Sequence, residues 1–90
     1  MNELRRLYEG RCQLCLWQPR KTYGEELCEA HHVRWLARGG DDELHNLVLV
    51  CPNHHRAIHR CDSPFDHGTM SFHFEGFSER LGLDLHELRA

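Results

Sequence analysis

The sequence predicts a small α+β domain organised around bound metal, and three observations carry that expectation. The chain has 90 residues, 40% hydrophobic and 28% charged, which suits one ordered core and leaves no room for a second. Short apolar runs with period-2 and helical spacing alternate along it. Nine histidines and five cysteines complete the picture. An odd cysteine count without an apolar leader argues against a full disulfide framework, and paired cysteines in a reducing compartment serve zinc or catalysis. A chain this short buries barely enough surface to offset its ordering entropy, so a structural zinc, worth about 10–16 kcal/mol, can decide folding.

The elements follow in order. Asn2 with Leu4, Leu7 and Tyr8 reads as a capped amphipathic helix of about two turns, stopped at Gly10. Cys12-Gln-Leu-Cys15 follows, and residues 18–24 carry turn residues. Residues 26–33 form a first strand with Leu27 and Val33 as apolar anchors, and Gly39-Gly40-Asp41-Asp42 marks a loop. Leu47–Val50 is a short apolar strand. Pro52 opens a helix, where its missing N–H is harmless, running to about Cys61 before Ser63-Pro64. Met70–Phe74 alternates like a half-buried strand, and Ser78 caps a short helix placing Leu81, Leu85 and Leu88 on one face. Residues 1–61 therefore carry the core, and 62–90 a strand/helix appendage of the same domain, a surface for a second copy or a larger protein partner.

Cys12-x2-Cys15 and Cys51-x2-His54, separated by 35 residues, form two ligand pairs with the gap that lets both side chains reach one tetrahedral Zn²⁺. One pair sits on a turn and the other in the first turn of a helix, a treble-clef arrangement. Cys28 and Cys61 lack a partner at ligand spacing and are read as packing residues. A second polar set remains unexplained by that zinc. His55 and His59 are four apart, one turn apart on one helix face, a chelating spacing. His31 and His32 are successive on a strand and point to opposite faces, so one of the two joins them. Asn46, just before the apolar strand, can bond a neighbouring backbone group and hold the hairpin.

Glu29-Ala-His-His-Val-Arg34, Gly39-Gly-Asp-Asp42, Asn46-Leu-Val-Leu-Val-Cys-Pro-Asn-His-His55 and Ala57-Ile-His59 together resemble the HNH endonuclease family, whose fold is a ββα-metal derivative of the treble clef. The resemblance runs from about Arg11 to Cys61, with His32 to Asn46 spanning 14 residues and Asn46 to His55 nine. It implies a phosphodiester hydrolase acting on DNA as an endonuclease or nickase. It implies that His32 is the general base, that His31, where many members carry Asp, is a metal ligand with His55 and His59, and that Asn46 fixes the base across the hairpin. It also implies a structural zinc on Cys12, Cys15 and Cys51, with His54 in the place of the subgroup's usual fourth Cys.

A neutral imidazole is a base near its own pKa, and a metal ion supplies the Lewis acid that phosphodiester hydrolysis needs. Three imidazoles favour Zn²⁺, Ni²⁺, Co²⁺ or Mn²⁺ by softness, while members of the family also work with Mg²⁺. The net charge of −3 excludes a protein that coats nucleic acid by bulk charge. The charge is uneven, however: nine Lys/Arg meet eight Asp/Glu in residues 1–60, and two meet six in residues 61–90. Phosphate contacts are therefore local, with Arg34, Arg38, Arg56 and Arg60 the candidates. Trp17 and Trp35 are read as core or hairpin packing, and His45, His67, His73 and His86 as ordinary surface or core histidines. No run reaches the roughly 18 apolar residues of a membrane helix, and the expectation is a soluble cytoplasmic protein without a membrane partner. The competing readings are a non-catalytic zinc module binding nucleic acid or protein, which has no need of a base beside a second metal, and a metalloprotease, which lacks its His-Glu-x-x-His helix.

Overall fold

Leu47-Val-Leu-Val50 is buried on both faces, and everything that positions the candidate site is laid against it. In a computed structural model that describes residues 2–90, this strand, β2, pairs antiparallel with β1 (Glu29–His32) in the register Glu29 opposite Val50 and His32 opposite Leu47. Helix α1 (Asn2–Tyr8) packs Leu4 and Tyr8 onto β2 and leaves Leu7 exposed. The side chain of Asn2, expected as the cap, lies outside the described residues. The chain turns out of α1 through left-handed Glu9 and Gly10. Helix α3 (Pro52–Cys61) follows β2 with Cys51 as its N-cap, and its buried Ile58 seats it on the hairpin. Each large side chain buried here contributes about 1.5–3 kcal/mol.

Several sequence expectations are corrected. Residues 18–24 are not a plain turn: Pro19 starts a five-residue helix, α2 (Pro19–Tyr23), closed by Gly24 in the left-handed region. The first strand is shorter than 26–33, because Leu27 is exposed, although Val33 N–H still donates to the Asn46 carbonyl at 2.8 Å. Between β1 and β2 the loop carries two 3-10 turns, Leu36–Arg38 and Leu44–Asn46. Gly40 is required there, since a Cβ would stand 1.8 Å from the Arg34 carbonyl oxygen.

The helix expected after Ser78 does not form: Ser78 lies inside a strand that ends at Arg80, and Leu81, Leu85 and Leu88 follow in irregular chain. Residues 62–90 form a second antiparallel sheet, β3 (Phe65–Asp66), β4 (Ser71–Phe74) and β5 (Phe77–Arg80), in the order β3-β4-β5. Gly76, at φ 86°, allows the tight reversal that sets Phe74 opposite Phe77. Beyond β5 the chain stays irregular because its backbone bonds outward: Gly82 N–H donates to the Gln13 carbonyl, Leu85 N–H to the Tyr8 hydroxyl and Arg89 N–H to the His45 carbonyl. Phe72 and Leu81 enter the common core, and Leu85 is exposed. Cys28 is buried as expected, whereas Cys61, at the solvent side of the last turn of α3, is exposed and is not a packing residue. Among the described residues no helix is long and apolar enough to cross a membrane.

Candidate functional site

The two-residue spacing of each ligand pair folds the same way at both ends of the zinc-type cluster. Cys15 N–H points at Cys12 Sγ (3.4 Å) and His54 N–H at Cys51 Sγ (3.5 Å), the knuckle geometry that turns the second ligand back beside the first. The β2-to-α3 junction and the knuckle after α1 thereby bring Cys12, Cys15, Cys51 and His54 together, their ligand atoms all within 4.8 Å of one another. Cys15 Sγ lies 3.9 Å from Cys51 Sγ, and His54 Nδ1 lies 3.3 Å from Cys51 Sγ and 3.9 Å from Cys12 Sγ. Ligands at about 2.3 Å (sulfur) and about 2.0–2.1 Å (nitrogen) around a tetrahedral ion stand about 3.8 Å and about 3.6 Å apart, so the donor set fits Zn²⁺. Cys28 is outside this set, and burial pushes its thiol up to about 12.

The second cluster, His31, His55 and His59, is built from β1 and α3, its ligand atoms also within 4.8 Å of one another. His31 is 1% exposed on β1, its ring centroid 5.2 Å from that of His55 and 5.0 Å from that of His59. Both of its ring nitrogens are buried without a hydrogen-bond partner. An imidazole in that state lacks the bonds that offset its desolvation. Burial, then the neighbouring charges of His55, His59 and His32, push its pKa down to about 3, so the ring is a neutral lone-pair donor. His55 and His59 bring their Nε2 atoms to 3.2 Å, against about 3.3–3.4 Å for two nitrogens on one tetrahedral ion. His55 is aimed by Glu29, whose Oε1 accepts from Nδ1–H at 2.9 Å and leaves Nε2 free to ligate. The three-imidazole set therefore fits a divalent cation.

His32 points away from His31, as alternation along β1 requires, and opens with His55 and His59 onto a cleft of about 310 Å³ that Trp35 and Leu36 also line. Its Nε2 donates to Asp42 Oδ1 at 2.7 Å. Asn46 spans the loop that carries both: its Oδ1 accepts from Arg34 N–H at 2.8 Å, and its Nδ2 donates to the carbonyls of Arg34 (3.0 Å) and Asp41 (2.7 Å). Trp35 is not core packing but a wall of the cleft, its ring 4.5 Å from His59 with the Arg38 guanidinium 4.1 Å from its centroid. Trp17 is exposed and meets Tyr23 edge-on, so it too lies outside the core.

Of the candidate phosphate contacts, Arg56 and Arg60 stand exposed on α3, flanking a cleft with His55 and His59. Arg38 is already held by both carboxylate oxygens of Asp62, at 2.7 and 3.2 Å, and Arg34 Nε donates to the Arg38 carbonyl. Sequence reasoning missed Glu29, Asp42 and Glu79 as partners of the site histidines. Each lies on a different segment from the histidine it meets: Glu29 on β1 meets His55 of α3, Glu79 on β5 meets His54 of α3, and Asp42 in the loop meets His32 of β1.

A β-hairpin and helix carrying a zinc-type set at one end and a three-imidazole set at the other define a ββα-metal domain of treble-clef type. The model of the HNH endonuclease family matches residues 12–60, more than half of the chain, and the protein belongs to that family. The chain is also similar to the type IV methyl-directed restriction enzyme EcoKMcrA of Escherichia coli K12, with 47% identity over 36 residues. That stretch is 40% of this chain and 13% of the relative. No solved structure is significantly similar.

Proposed function

We propose that the domain is a metal-dependent DNA endonuclease or nickase in which His32 is the proton acceptor. The observation that carries this is a neutral, otherwise partnerless His31 facing His55 and His59 beneath a cleft that His32 also lines. Membership of the HNH family supports nuclease chemistry in general, and the restriction enzyme it resembles supports DNA as substrate.

In this reading His31, His55 and His59 hold one divalent cation, and Cys12, Cys15, Cys51 and His54 a structural zinc. The cation, when bound, supplies Lewis-acid neutralisation of charge on the scissile phosphate and its leaving oxygen. With Nε2–H committed to Asp42, the neutral His32 ring carries its lone pair on Nδ1, which takes the proton of the attacking water. The new bond joins the water oxygen to phosphorus, and the phosphorus bond to the leaving oxygen breaks. Asn46 keeps the loop of Arg34 and Asp41 in register with β1, so Asp42 stays within reach of His32. Arg56 and Arg60 contact flanking phosphates and orient the strand.

The test is incubation of the zinc-loaded protein with supercoiled plasmid and Mg²⁺, Mn²⁺, Co²⁺, Ni²⁺ or added Zn²⁺, beside a chelator control. Nicked or linear product that needs an added ion and disappears in His32→Ala is expected. Plasmid left intact with every ion would sink the nuclease reading and favour a binding module.

A further inference from the structure

The four-residue zinc-type set contains a histidine where a fourth thiolate would also fit, and the exchange has a structural consequence. A thiolate ligates through its only polar atom, whereas an imidazole carries a second ring nitrogen that needs a partner of its own. His54 turns Nδ1 toward the sulfurs of Cys51 and Cys12, and Nε2 donates to Glu79 Oε2 at 2.9 Å. Glu79 comes from β5, 25 residues along the chain and outside the span that matches the HNH family.

Its placement follows from the sheet. Glu79 pairs directly with Phe72, so the two side chains share a face, and Phe72 is fully buried against the core. Glu79 is accordingly the one residue of β5 that is not exposed. A carboxylate on the inward face of an edge strand requires a donor, and His54 is the donor it meets. The chain after β5 reinforces the contact: Gly82 and Leu83 N–H both donate to the carbonyl of Gln13, between the two knuckle cysteines, at 2.7 and 3.2 Å. Gln13 Nε2 returns a bond to the Leu83 carbonyl at 3.1 Å, while its Oε1 accepts from Leu49 N–H of β2 at 2.8 Å.

We infer that Glu79 is a positioning residue of the zinc site, fixing His54 in the tautomer and orientation that present Nδ1 to the metal, and that the C-terminal hairpin is therefore part of that site. The inference rests on the four-ligand zinc reading above. Removing such a hydrogen-bond partner weakens metal binding by about 10–100-fold.

The experiment is a competition for zinc against a chromophoric chelator, using the full chain as wild type, Glu79→Ala and Glu79→Gln, each repeated in a His54→Cys background. Glu79→Ala should weaken zinc binding by about 10–100-fold, and Glu79→Gln, whose amide oxygen still accepts from Nε2–H, should recover most of the loss. In the His54→Cys background both changes should leave zinc affinity unaltered, since no second ring nitrogen remains. An equal loss in both backgrounds makes Glu79 a packing residue of the hairpin and overturns the inference, as does a Glu79→Ala protein that binds zinc like the wild type. A wild-type chain that takes up no zinc overturns the four-ligand reading itself, a result distinct from either.

Discussion

His31 and His32 are chemically identical neighbours, and strand alternation gives them different surroundings. His31 is buried among His55, His59 and Phe72, while His32 is half-exposed and bonded to Asp42. Replacing His32 with Ala should preserve fold and zinc content yet lower cleavage by about 10²–10⁴-fold. Replacing His31 with Ala should raise the Mn²⁺ or Mg²⁺ concentration needed for cleavage, so that excess ion partly restores it. Titrating both variants against the ion checks the assignment, and rescue of His32→Ala by ion alone would reverse it. His31 also predicts a pH dependence. Its pKa falls from 6.5 to about 3 on folding, so acid protonates the unfolded chain first. The neutral buried ring thus contributes stability above the unfolded pKa that fades as pH drops from about 6.5 toward about 3. Denaturation midpoints without added catalytic ion should fall more steeply between neutral pH and about pH 5 for the wild type than for His31→Phe.

At the scale of the element, α3 is the part that both candidate metal-ligand sets share. Successive residues His54 and His55 project about 100° apart around the helix, and each meets a carboxylate from a different strand, Glu79 of β5 and Glu29 of β1. The Cys51 cap and Pro52 start the helix where His54 must turn toward the knuckle, and the four-residue step carries His55 to His59. Its exposed flank bears Arg56 and Arg60. Changing both to Ala should weaken DNA binding irrespective of sequence and reduce the slope of log affinity against log salt by about one unit for each phosphate no longer neutralised. Binding isotherms across a salt series with a catalytically dead variant give that slope, and an unchanged value would move the phosphate surface elsewhere. Arg38 is expected to contribute less, because its guanidinium is held by Asp62.

Across the whole molecule, the zinc-type set joins the knuckle after α1, the β2-to-α3 junction and, through Glu79, the C-terminal sheet, the same three stretches that the Gln13 hydrogen bonds connect. In the four-ligand zinc reading proposed above, metal-binding energy at this set is folding energy. Cys12→Ser should lower soluble yield and the thermal midpoint as well as cleavage, with zinc content well below one per chain. A soluble, cooperatively folding Cys12→Ser protein that still carries a full zinc would remove the structural role, and circular dichroism melts beside metal analysis decide it.

The strand Leu47–Val50, α3, the two knuckle pairs, the His55–His59 step and the opposed directions of His31 and His32 were legible in the sequence because each is a matter of short spacing: two residues between knuckle ligands, four along a helix, alternate residues on a strand. Chain neighbours at such spacings have their relative directions set by backbone geometry alone. That His31 in particular joins His55 and His59, and that Asn46 braces the hairpin, came from the family resemblance. Local pattern misled where tertiary contacts supplied the backbone's partners. Leu81, Leu85 and Leu88 have helical spacing, yet Gly76 turns β5 onto β4, and the following N–H groups bond Gln13, Tyr8 and His45 instead of their own chain. The carboxylates of Glu29 and Glu79, the contact of Trp35 with His59 and the pairing of Arg38 with Asp62 each join residues more than 20 positions apart. No sequence period specifies such meetings; they exist only once β1, α3 and β5 have packed, and the two carboxylates among them decide which nitrogen of His54 and of His55 is left to its ligand set.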